Sequence, residues 1–340
     1  MREVLQKLLE GHDLGEDEAA AAMSRVMSGE ATPAQIAAFA VALRMKGETI
    51  DEIAGCARAM REHAARIQPK RGRSGVLVDT CGTGGDGAQT FNISTAAAFV
   101  VAGCGVPVAK HGNRAASSRC GSADVLEALG IPVDLTPAAV EAAIDTVGIG
   151  FLFAPTFHPA LRHAAAPRRE IGVRTIFNLL GPLTNPAGAN CQIVGVPDPA
   201  LPPVLARVLL RLGAREVLVV HGLDGLDEIS LSAPTRIARG RAGEIEEYEL
   251  TPEMVGLARV DREALRGGDA HRNAEILASV LSGERGPMRD VVVLNAAAAL
   301  LAAGAARDWS EGVDQAARSI DSGAAAAKLE ALKAYCRQVA

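Results

Sequence analysis

A short β-branched run at residues 76–79 is followed at once by a glycine-rich loop and a Ser/Thr-rich segment, and this order constrains the fold most. The run predicts a buried parallel strand, and the segment predicts a helix that begins at about Ser94 or Thr95. Between them lie four glycines that allow a sharp turn with converging N–H groups, Gly82, Gly84, Gly85 and Gly87. Such a loop before a helix N-terminus binds anions, although a plain glycine-rich turn is the competing interpretation. The stretch matches neither a Walker A loop nor the dinucleotide fingerprint.

A second predicted strand, at residues 106–109, also ends in a polar loop. The loop is rich in cations and hydroxyl groups: Lys110, His111, Asn113, Arg114, Ser117, Ser118, Arg119 and Ser122. Ligands of α/β proteins bind at the carboxyl ends of the strands. Two such loops therefore predict a pocket for a ligand with two phosphate groups.

The composition is that of an ordinary globular protein. The 340 residues, 49% of them hydrophobic, can bury a large core in two domains or one large one. The formal net charge of −5 provides no global field that attracts nucleic acid or an anionic membrane. An anionic ligand must therefore be bound by local cations.

The cysteines and the N-terminal segment favour a cytoplasmic protein. The six cysteines are scattered and form no Cys-x-x-Cys motif, which predicts reduced thiols. Cys81, inside the glycine loop, is interpreted as a small packing residue rather than a nucleophile. The first residues are charged and amphipathic, and no uncharged apolar stretch of about 18 residues occurs, so we expect neither secretion nor membrane insertion.

The chain as a whole predicts an α/β fold with a small all-helical domain and a large α/β domain, whose mostly parallel central sheet is flanked by helices. Residues 1–65 predict helices, two of which begin with the capping boxes Thr32/Gln35 and Thr49/Glu52. A basic linker at 68–75 marks the boundary. Strands are predicted at 76–79, 106–109, 149–153, 191–196, 216–220 and 243–250, and helices at 122–129, 137–147, 201–212 and beyond residue 271.

Six segments resemble those of the anthranilate phosphoribosyltransferase family. They are GTGGDGAQTFNIST, KHGNRAASSRCGSADVLEALG, FLFAPTFHPAL, RREIGVRTIFNLLGPLTNPA, VVHGLDGLDEISLSAPT and DVVVLNAAAALLAAG. The resemblance implies transfer of the phosphoribosyl group of phosphoribosyl pyrophosphate to the amine of anthranilate, in tryptophan biosynthesis. It further implies a helical domain of residues 1–70 that is rejoined by about 159–188 and forms a homodimer, an α/β domain of residues 71–340, and Mg²⁺, expected as two ions. Neither nucleic acid nor a membrane is an expected partner.

The resemblance also implies the site residues. Phosphoribosyl pyrophosphate would contact Gly82, Gly85, Asp86, Thr90, Asn92, Ile93, Ser94, Thr95, Lys110, His111, Gly112, Asn113, Arg114, Ala115, Ala116, Ser117, Ser118 and Ser122. Anthranilate would contact Gly82, Asn113 and Arg168. The metal ligands would be Ser94, Asp227 and Glu228.

Several of these residues keep an alternative interpretation. Asp227 and Glu228 could form a solvated acidic turn, but a diphosphate leaving group favours a magnesium site. Lys110 and Arg114 could be surface charges, and the neighbouring serines favour phosphate contact. His111 is a candidate general base or a neutral hydrogen-bonding residue.

The second half of the chain carries further expectations. Arg168 and Arg169 are expected to open a helix after Pro167, an unusual place for cations that suggests an anionic partner. Phe153 and Phe157 could wall an aromatic substrate, although core packing is their default. His158 and His163 lack the zinc-binding i, i+4 spacing, which favours structural or tunnel-lining roles.

Two other functions fit parts of the sequence. A pyrimidine nucleoside phosphorylase-like enzyme shares the expected architecture, and a noncatalytic nucleic-acid-binding relative is the alternative of a different class. The negative net charge and the adjacent Asp227 and Glu228 argue against the latter. His271 and Arg272 depart from the family pattern outside its signature loops.

Overall fold

The structure is a computed structural model that describes residues 1–73, 75–115 and 119–339. Its helices and strands follow one another as α1 (Arg2–Leu9), α2 (Glu16–Met27), α3 (Pro33–Lys46), α4 (Ile50–Glu62), α5 (Lys70–Arg73), β1 (Val78–Gly82), α6 (Ile93–Gly103), β2 (Val108–Gly112), α7 (Ser122–Ala128), α8 (Pro137–Thr146), β3 (Ile149–Phe153), α9 (Ala154–Phe157), α10 (Arg162–Ile171), α11 (Ile176–Leu180), β4 (Cys191–Gly195), α12 (Leu201–Arg211), β5 (Glu216–Gly222), β6 (Thr235–Arg241), β7 (Glu244–Leu250), α13 (Ala270–Leu281), α14 (Pro287–Ala302), α15 (Trp309–Asp321) and α16 (Ala324–Val339). Among the helices of these ranges, none is both long and apolar enough to cross a membrane.

The described strands form one seven-stranded sheet in the order β3-β2-β1-β4-β5-β6-β7. Strands β1 to β5 pair in parallel, whereas β6 and β7 form an antiparallel extension at one edge. The predicted small helical domain and mostly parallel sheet are therefore confirmed.

The direction in which the sheet grows reverses between β1 and β4. The chain first adds β2 and β3 on one side of β1, and then returns to place β4 and β5 on the other side. Such a reversal leaves a crevice outside the carboxyl ends of the two strands, where open α/β sheets bind ligands. The glycine loop follows β1 at this point.

Two large apolar clusters stabilise the fold. The first packs α6 and α13–α16 on one face of the sheet, with α14 buried along most of its length. The second joins α1–α4 to α10, α11 and α12 and to the other face of the sheet. The α10–α11 segment, although it lies late in the sequence, thus packs on the N-terminal helices.

The local signals at the helix starts are confirmed. Thr32 and Thr49 each accept a hydrogen bond from the backbone N–H three residues later, and Gln35 and Glu52 complete both capping boxes. Gly47 ends α3 with a φ of 91°, a conformation that favours glycine. These features depend on neighbouring residues alone.

Two strand predictions needed correction. Strands β1 and β2 both begin and end later than predicted, so Lys110 and His111 belong to β2 and not to the loop after it. Pairing with β3 extends this strand, since Lys110 faces Phe151 and His111 faces Leu152 in register. Strand β6 was missed because arginines and glycine interrupt its apolar pattern.

The prediction that Arg168 and Arg169 open a helix was wrong. Helix α10 begins at Arg162 and includes Pro167, so both arginines lie in its last turn. Cations are favourable beside the negative end of the helix dipole, and the expected conflict does not exist. Pro167 lies inside the helix, where it lacks the backbone donor for one i→i−4 hydrogen bond.

Candidate active site

A cleft of about 380 Å³ opens at the carboxyl ends of the parallel strands, between the sheet and the α10–α11 segment. Its volume is within the range of small-molecule sites. All predicted site residues that the structure describes line this cleft: Gly82, Gly85, Asp86, Thr90, Asn92, Ile93, Ser94, Thr95, Lys110, His111, Gly112, Asn113, Arg114, Ala115, Ser122, Arg168, Asp227 and Glu228. The predicted residues Ala116, Ser117 and Ser118 lie outside the described residues.

The glycine loop has the left-handed backbone that its sequence indicates. Gly84, Gly85 and Gly87 have φ values of 63°, 83° and 66°, which other residue types rarely adopt. The Asp86 carboxylate accepts a hydrogen bond from the Ala88 N–H at 3.1 Å and stabilises the turn. Gln89, with a φ of 54°, also adopts this conformation, so the loop is strained at a residue that is not glycine.

The acidic loop after β5 crosses the end of β4 and meets the glycine loop. This crossing requires Gly195, because a Cβ there would lie 1.6 Å from the Asp227 carbonyl oxygen. The Asp227 carboxylate then accepts a hydrogen bond from the Gly84 N–H at 2.9 Å. One residue on, the Glu228 carboxylate accepts a hydrogen bond from the Ser94 N–H at 3.1 Å, in the first turn of α6. The helix start predicted to bind an anion thus binds a carboxylate of the protein itself.

Burial and mutual repulsion perturb these two carboxylates. Desolvation, with the negative charges of Asp86 and Glu228, raises the pKa of Asp227 well above its ordinary value. Desolvation raises the pKa of Glu228 to about 7, although Lys110 and Ser94 oppose the rise. The cleft therefore contains a concentration of negative charge that a divalent cation would neutralise.

The donor set fits Mg²⁺ only if a ligand completes it. No group of three or more His, Cys, Asp or Glu side chains with metal-binding geometry occurs in the described part of the chain. Magnesium usually binds one or two protein carboxylates and takes its remaining ligands from water and substrate phosphates. Asp227 and Glu228 match this pattern.

Lys110 lies beneath the two loops. Its ammonium group donates to the Thr80 carbonyl oxygen and, at 3.3 Å, to Ser94 Oγ, and the residue is only 4% exposed. Burial lowers the pKa of Lys110, while Asp79 and Glu228 favour its charged form. The lysine thus connects β1, β2 and the start of α6, and its positive charge favours the ionised form of Glu228.

The environment of His111 favours the neutral imidazole. It is buried, its Nδ1 lies 3.1 Å from the Gly181 carbonyl oxygen, and desolvation lowers its pKa to about 3. His158 is also buried, with a pKa lowered to about 4, and its ring centroid lies 5.1 Å from that of His111. The Nε2 atoms of both rings are buried without a partner among the described residues, which leaves two hydrogen-bonding atoms for a ligand. His163 instead packs against Gly29.

The loop after β2 positions its polar groups through its own hydrogen bonds. Asn113 Oδ1 accepts from the Arg114 N–H at 2.7 Å, and Ser122 Oγ donates to the Asn113 carbonyl oxygen at 3.2 Å. The Arg114 guanidinium pairs with Glu127 and Asp124 and lies 5.5 Å from the Phe153 ring centroid. Arg114 must therefore exchange these partners if it is to bind a phosphate.

Arg168 is a partly buried cation on the cleft. Desolvation lowers its pKa, and its guanidinium lies over the Phe177 ring, 5.3 Å from the centroid. No carboxylate of the described residues forms an ion pair with it. The aromatic ring beside this cation is therefore that of Phe177, which lines the cleft. Phe153 and Phe157, the two aromatic residues considered from the sequence, do not line it, and Phe157 belongs to the core.

Sequence reasoning missed cleft residues of the α10–α11 segment and the turn after it, notably Arg174, Phe177, Pro182 and Thr184. The signal was present in NLLGPLTNP, where a Gly-Pro break marks a turn, but a turn does not show which residues face a cleft. Asn273 was missed as well. It is buried and donates from Nδ2 to Asn92 Oδ1 at 3.0 Å, next to the helix start that the Glu228 carboxylate caps.

Cys81 lines the cleft, and its environment favours the neutral thiol. It is buried, its Sγ lies 3.7 Å from the Ile193 carbonyl oxygen, and desolvation raises its pKa well above the ordinary value. A neutral thiol is a poor nucleophile. The interpretation of Cys81 as a packing residue is consistent with this environment.

The chain resembles known proteins along nearly its whole length. The family described as "Glycosyl transferase family, a/b domain" matches residues 74–326, and "Glycosyl transferase family, helical bundle domain" matches residues 2–64. An anthranilate phosphoribosyltransferase of Symbiobacterium thermophilum is 60% identical over 339 residues, which cover 100% of this chain and 98% of that protein. The crystal structure of anthranilate phosphoribosyltransferase from Thermus thermophilus has a TM-score of 0.92 at 48% identity and covers 98% of this chain and 99% of that one.

The enzyme of Saccharomyces cerevisiae is also similar. Its complex with PRPP and Mg has a TM-score of 0.89 at 29% identity and covers 99% of this chain and 97% of that one. Its complex with 4-fluoroanthranilate has a TM-score of 0.87 at 28% identity, with the same coverage.

Proposed function

The chain belongs to the anthranilate phosphoribosyltransferase family, and from this premise we propose that its cleft binds phosphoribosyl pyrophosphate and anthranilate together. The reaction is the transfer of the phosphoribosyl group to the anthranilate amine, which gives N-(5-phosphoribosyl)anthranilate and pyrophosphate in tryptophan biosynthesis. One observation carries the assignment of the site: a glycine loop, two adjacent carboxylates and an arginine without an acidic partner among the described residues line one cleft.

The two strand-end loops are proposed to bind phosphoribosyl pyrophosphate. The glycine loop lines the cleft and has three glycines in the left-handed conformation, a backbone form in which successive N–H groups can converge on a phosphate. Ser94, Asn113 and Ser122 add side-chain donors at the edge of the same cavity. Backbone donors need no reorganisation when charge develops on the leaving diphosphate, so the loop stabilises that charge as it forms.

Asp227, Glu228 and Ser94 are proposed to hold magnesium, as two ions when the diphosphate is bound. The carboxylates have raised pKa values because their negative charges lie together in a desolvated place. Bound magnesium would neutralise charge on the diphosphate leaving group. Glu228 would then give up the hydrogen bond that it accepts from the Ser94 N–H and bind the metal instead. This change would free the positive end of α6 for a substrate oxygen.

Anthranilate is proposed to bind beside Arg168, Asn113 and Gly82. The Arg168 guanidinium suits the carboxylate of the substrate, and its contact with the Phe177 ring helps to hold it on the cleft. The attacking amine is already neutral, so orientation and charge stabilisation contribute more than a general base. His111, with its pKa lowered to about 3, is suited to a neutral hydrogen bond rather than to storing a proton.

The same proposal covers domains, assembly and location. Residues 1–70 and about 159–188 would form one helical unit beside the α/β unit of residues 71–340, since α10 and α11 pack on α2–α4. A homodimer through this helical unit would cover Leu9 and Met45, which are 75% and 84% exposed. Light scattering tests it: Met45→Glu should produce monomers, and Met254→Glu, on the α/β unit, should not. The described structure joins none of the six cysteines in a disulfide, which supports a cytoplasmic location.

The enzymatic proposal is tested by following anthranilate fluorescence with protein, Mg²⁺ and phosphoribosyl pyrophosphate. Fluorescence should fall with release of one pyrophosphate per anthranilate, and omission of any component should stop it. Phosphorolysis of thymidine without loss of anthranilate would instead identify a nucleoside phosphorylase. Retarded single-stranded DNA at physiological salt, with neither activity, would favour the nucleic-acid-binding alternative.

A further inference from the structure

Arg174 reaches from the segment between α10 and α11 to the glycine loop. Its Nη2 donates to the Thr83 carbonyl oxygen at 3.5 Å. A Cβ placed on Gly85 would lie 1.6 Å from Arg174 Nη1, so the guanidinium rests directly on the loop backbone. The residue lines the cleft, and the two helices that flank it in the sequence, α10 and α11, pack on α2–α4.

The contact to Thr83 leaves the guanidinium available to a ligand. A hydrogen bond of 3.5 Å is at the limit of the accepted range and is weak. The side chain is exposed, and within the described ranges it forms no ion pair with Asp86, Asp227 or another carboxylate. An arginine has five N–H donors in a rigid fork, and most of these remain without an acceptor among the described residues.

Among the described residues that line the cleft there are three other Lys or Arg side chains; Arg168 is proposed to bind the anthranilate carboxylate, and the other two are already engaged within the protein. Lys110 is buried in its bonds to Thr80 and Ser94, and Arg114 pairs with Glu127. A diphosphate bound on the glycine loop would therefore meet backbone donors on one side and, on the side facing the helical unit, the guanidinium of Arg174. The fork geometry of arginine suits phosphate oxygens, which it can bind through two parallel hydrogen bonds.

We propose that Arg174 is a further ligand of the diphosphate group of phosphoribosyl pyrophosphate. On binding, its guanidinium leaves the Thr83 carbonyl oxygen and donates to oxygens of the diphosphate above Gly85. The helical unit would thereby contribute two cations to the reaction. Arg174 would bind the diphosphate leaving group, and Arg168 would bind the acceptor anthranilate. This inference rests on the proposed function, because it requires that the glycine loop binds the diphosphate.

Titration calorimetry with Mg²⁺ and either phosphoribosyl pyrophosphate or inorganic pyrophosphate tests the inference. Arg174→Gln should weaken both ligands by about 10- to 100-fold, because a charge-assisted pair of bonds is lost. Arg174→Lys should recover part of the affinity, since it restores the charge without the fork. Arg162→Gln is the matched control: it removes an arginine of α10 that does not line the cleft, and it should bind both ligands as the parent does.

The possible outcomes separate the two proposals. Parent protein that binds neither ligand and does not consume anthranilate overturns the proposed function. If the parent binds both ligands and Arg174→Gln binds them equally well or more tightly, only the role of Arg174 is overturned. Arg174 would then be a contact that restrains the loop in the absence of ligand. The thermal midpoint without ligand shows whether the variants are folded; if Arg174→Gln is not, the pyrophosphate affinity of Arg174→Lys decides, and parent-like affinity overturns the role.

Discussion

Arg168→Ala is expected to impair the use of anthranilate far more than that of phosphoribosyl pyrophosphate. Arg168 lies on the cleft with a pKa lowered by burial and with no acidic partner in the described structure, so its charge is available to a ligand carboxylate. Only anthranilate offers it a carboxylate. Loss of a hydrogen bond to a charged group costs about 1.5–3 kcal/mol, which corresponds to roughly 10- to 150-fold in kcat/KM.

The stability of the protein should change little in this variant. The contact between the guanidinium and the Phe177 ring contributes about 0.5–1 kcal/mol at a partly exposed place. Removal of a cation that is desolvated without an ion pair offsets part of this loss. The thermal midpoint without ligands should therefore lie within a few degrees of the parent value.

Steady-state kinetics with anthranilate fluorescence as the signal measures both substrates. KM for anthranilate should rise at least tenfold in Arg168→Ala while KM for phosphoribosyl pyrophosphate stays within about threefold. Arg169→Ala, which removes the exposed neighbour in the same helical turn, serves as the control and should resemble the parent. Equal losses for both substrates, or equal effects of the two variants, would refute the assignment of Arg168.

Three further predictions concern the diphosphate side of the cleft. Lys110→Ala should raise the Kd for phosphoribosyl pyrophosphate at least tenfold in calorimetry, because the Ser94 hydroxyl loses its cationic partner, and an unchanged Kd would mean that Lys110 is only structural. The pKa of Glu228 is raised from 4.5 to about 7, so between these pH values the folded protein binds a proton that the unfolded chain does not. The free energy of unfolding without ligand should therefore fall as pH rises from about 4.5 through 7, and Glu228→Gln should flatten that part of a plot of thermal midpoint against pH. Asn273→Ala removes the buried donor to Asn92 and should raise KM for phosphoribosyl pyrophosphate by about 3- to 10-fold with little change in KM for anthranilate, whereas equal changes would indicate general damage.

Features that depend on nearby residues were predictable from the sequence. The left-handed turns at Gly84, Gly85 and Gly87 and the capping boxes at Thr32 and Thr49 involve only a few consecutive residues. The family resemblance then identified residues that the fold brings to one cleft. Their individual roles stay predictions.

Features that depend on distant contacts were not predictable in this way. Lys110 lies in a strand because β3 pairs alongside it, and the Glu228 carboxylate caps α6 because Gly195 lets the acidic loop cross β4. No local pattern marked Arg174, since what singles it out is its contact with Gly85, which is distant in the sequence. The error at Pro167 arose because a proline inside a helix is a poor marker of where the helix begins.

The central claim is that the glycine loop and the acidic loop hold a diphosphate-bound metal ion between them. Anomalous diffraction from crystals grown with Mn²⁺, in place of Mg²⁺, and phosphoribosyl pyrophosphate tests it most directly. We expect anomalous density bonded to the Asp227 and Glu228 carboxylates and to diphosphate oxygens that lie on the glycine loop. In crystals of the Asp227→Asn/Glu228→Gln variant this density should disappear. Manganese bound away from these carboxylates, or a diphosphate bound outside the loop, would contradict the account.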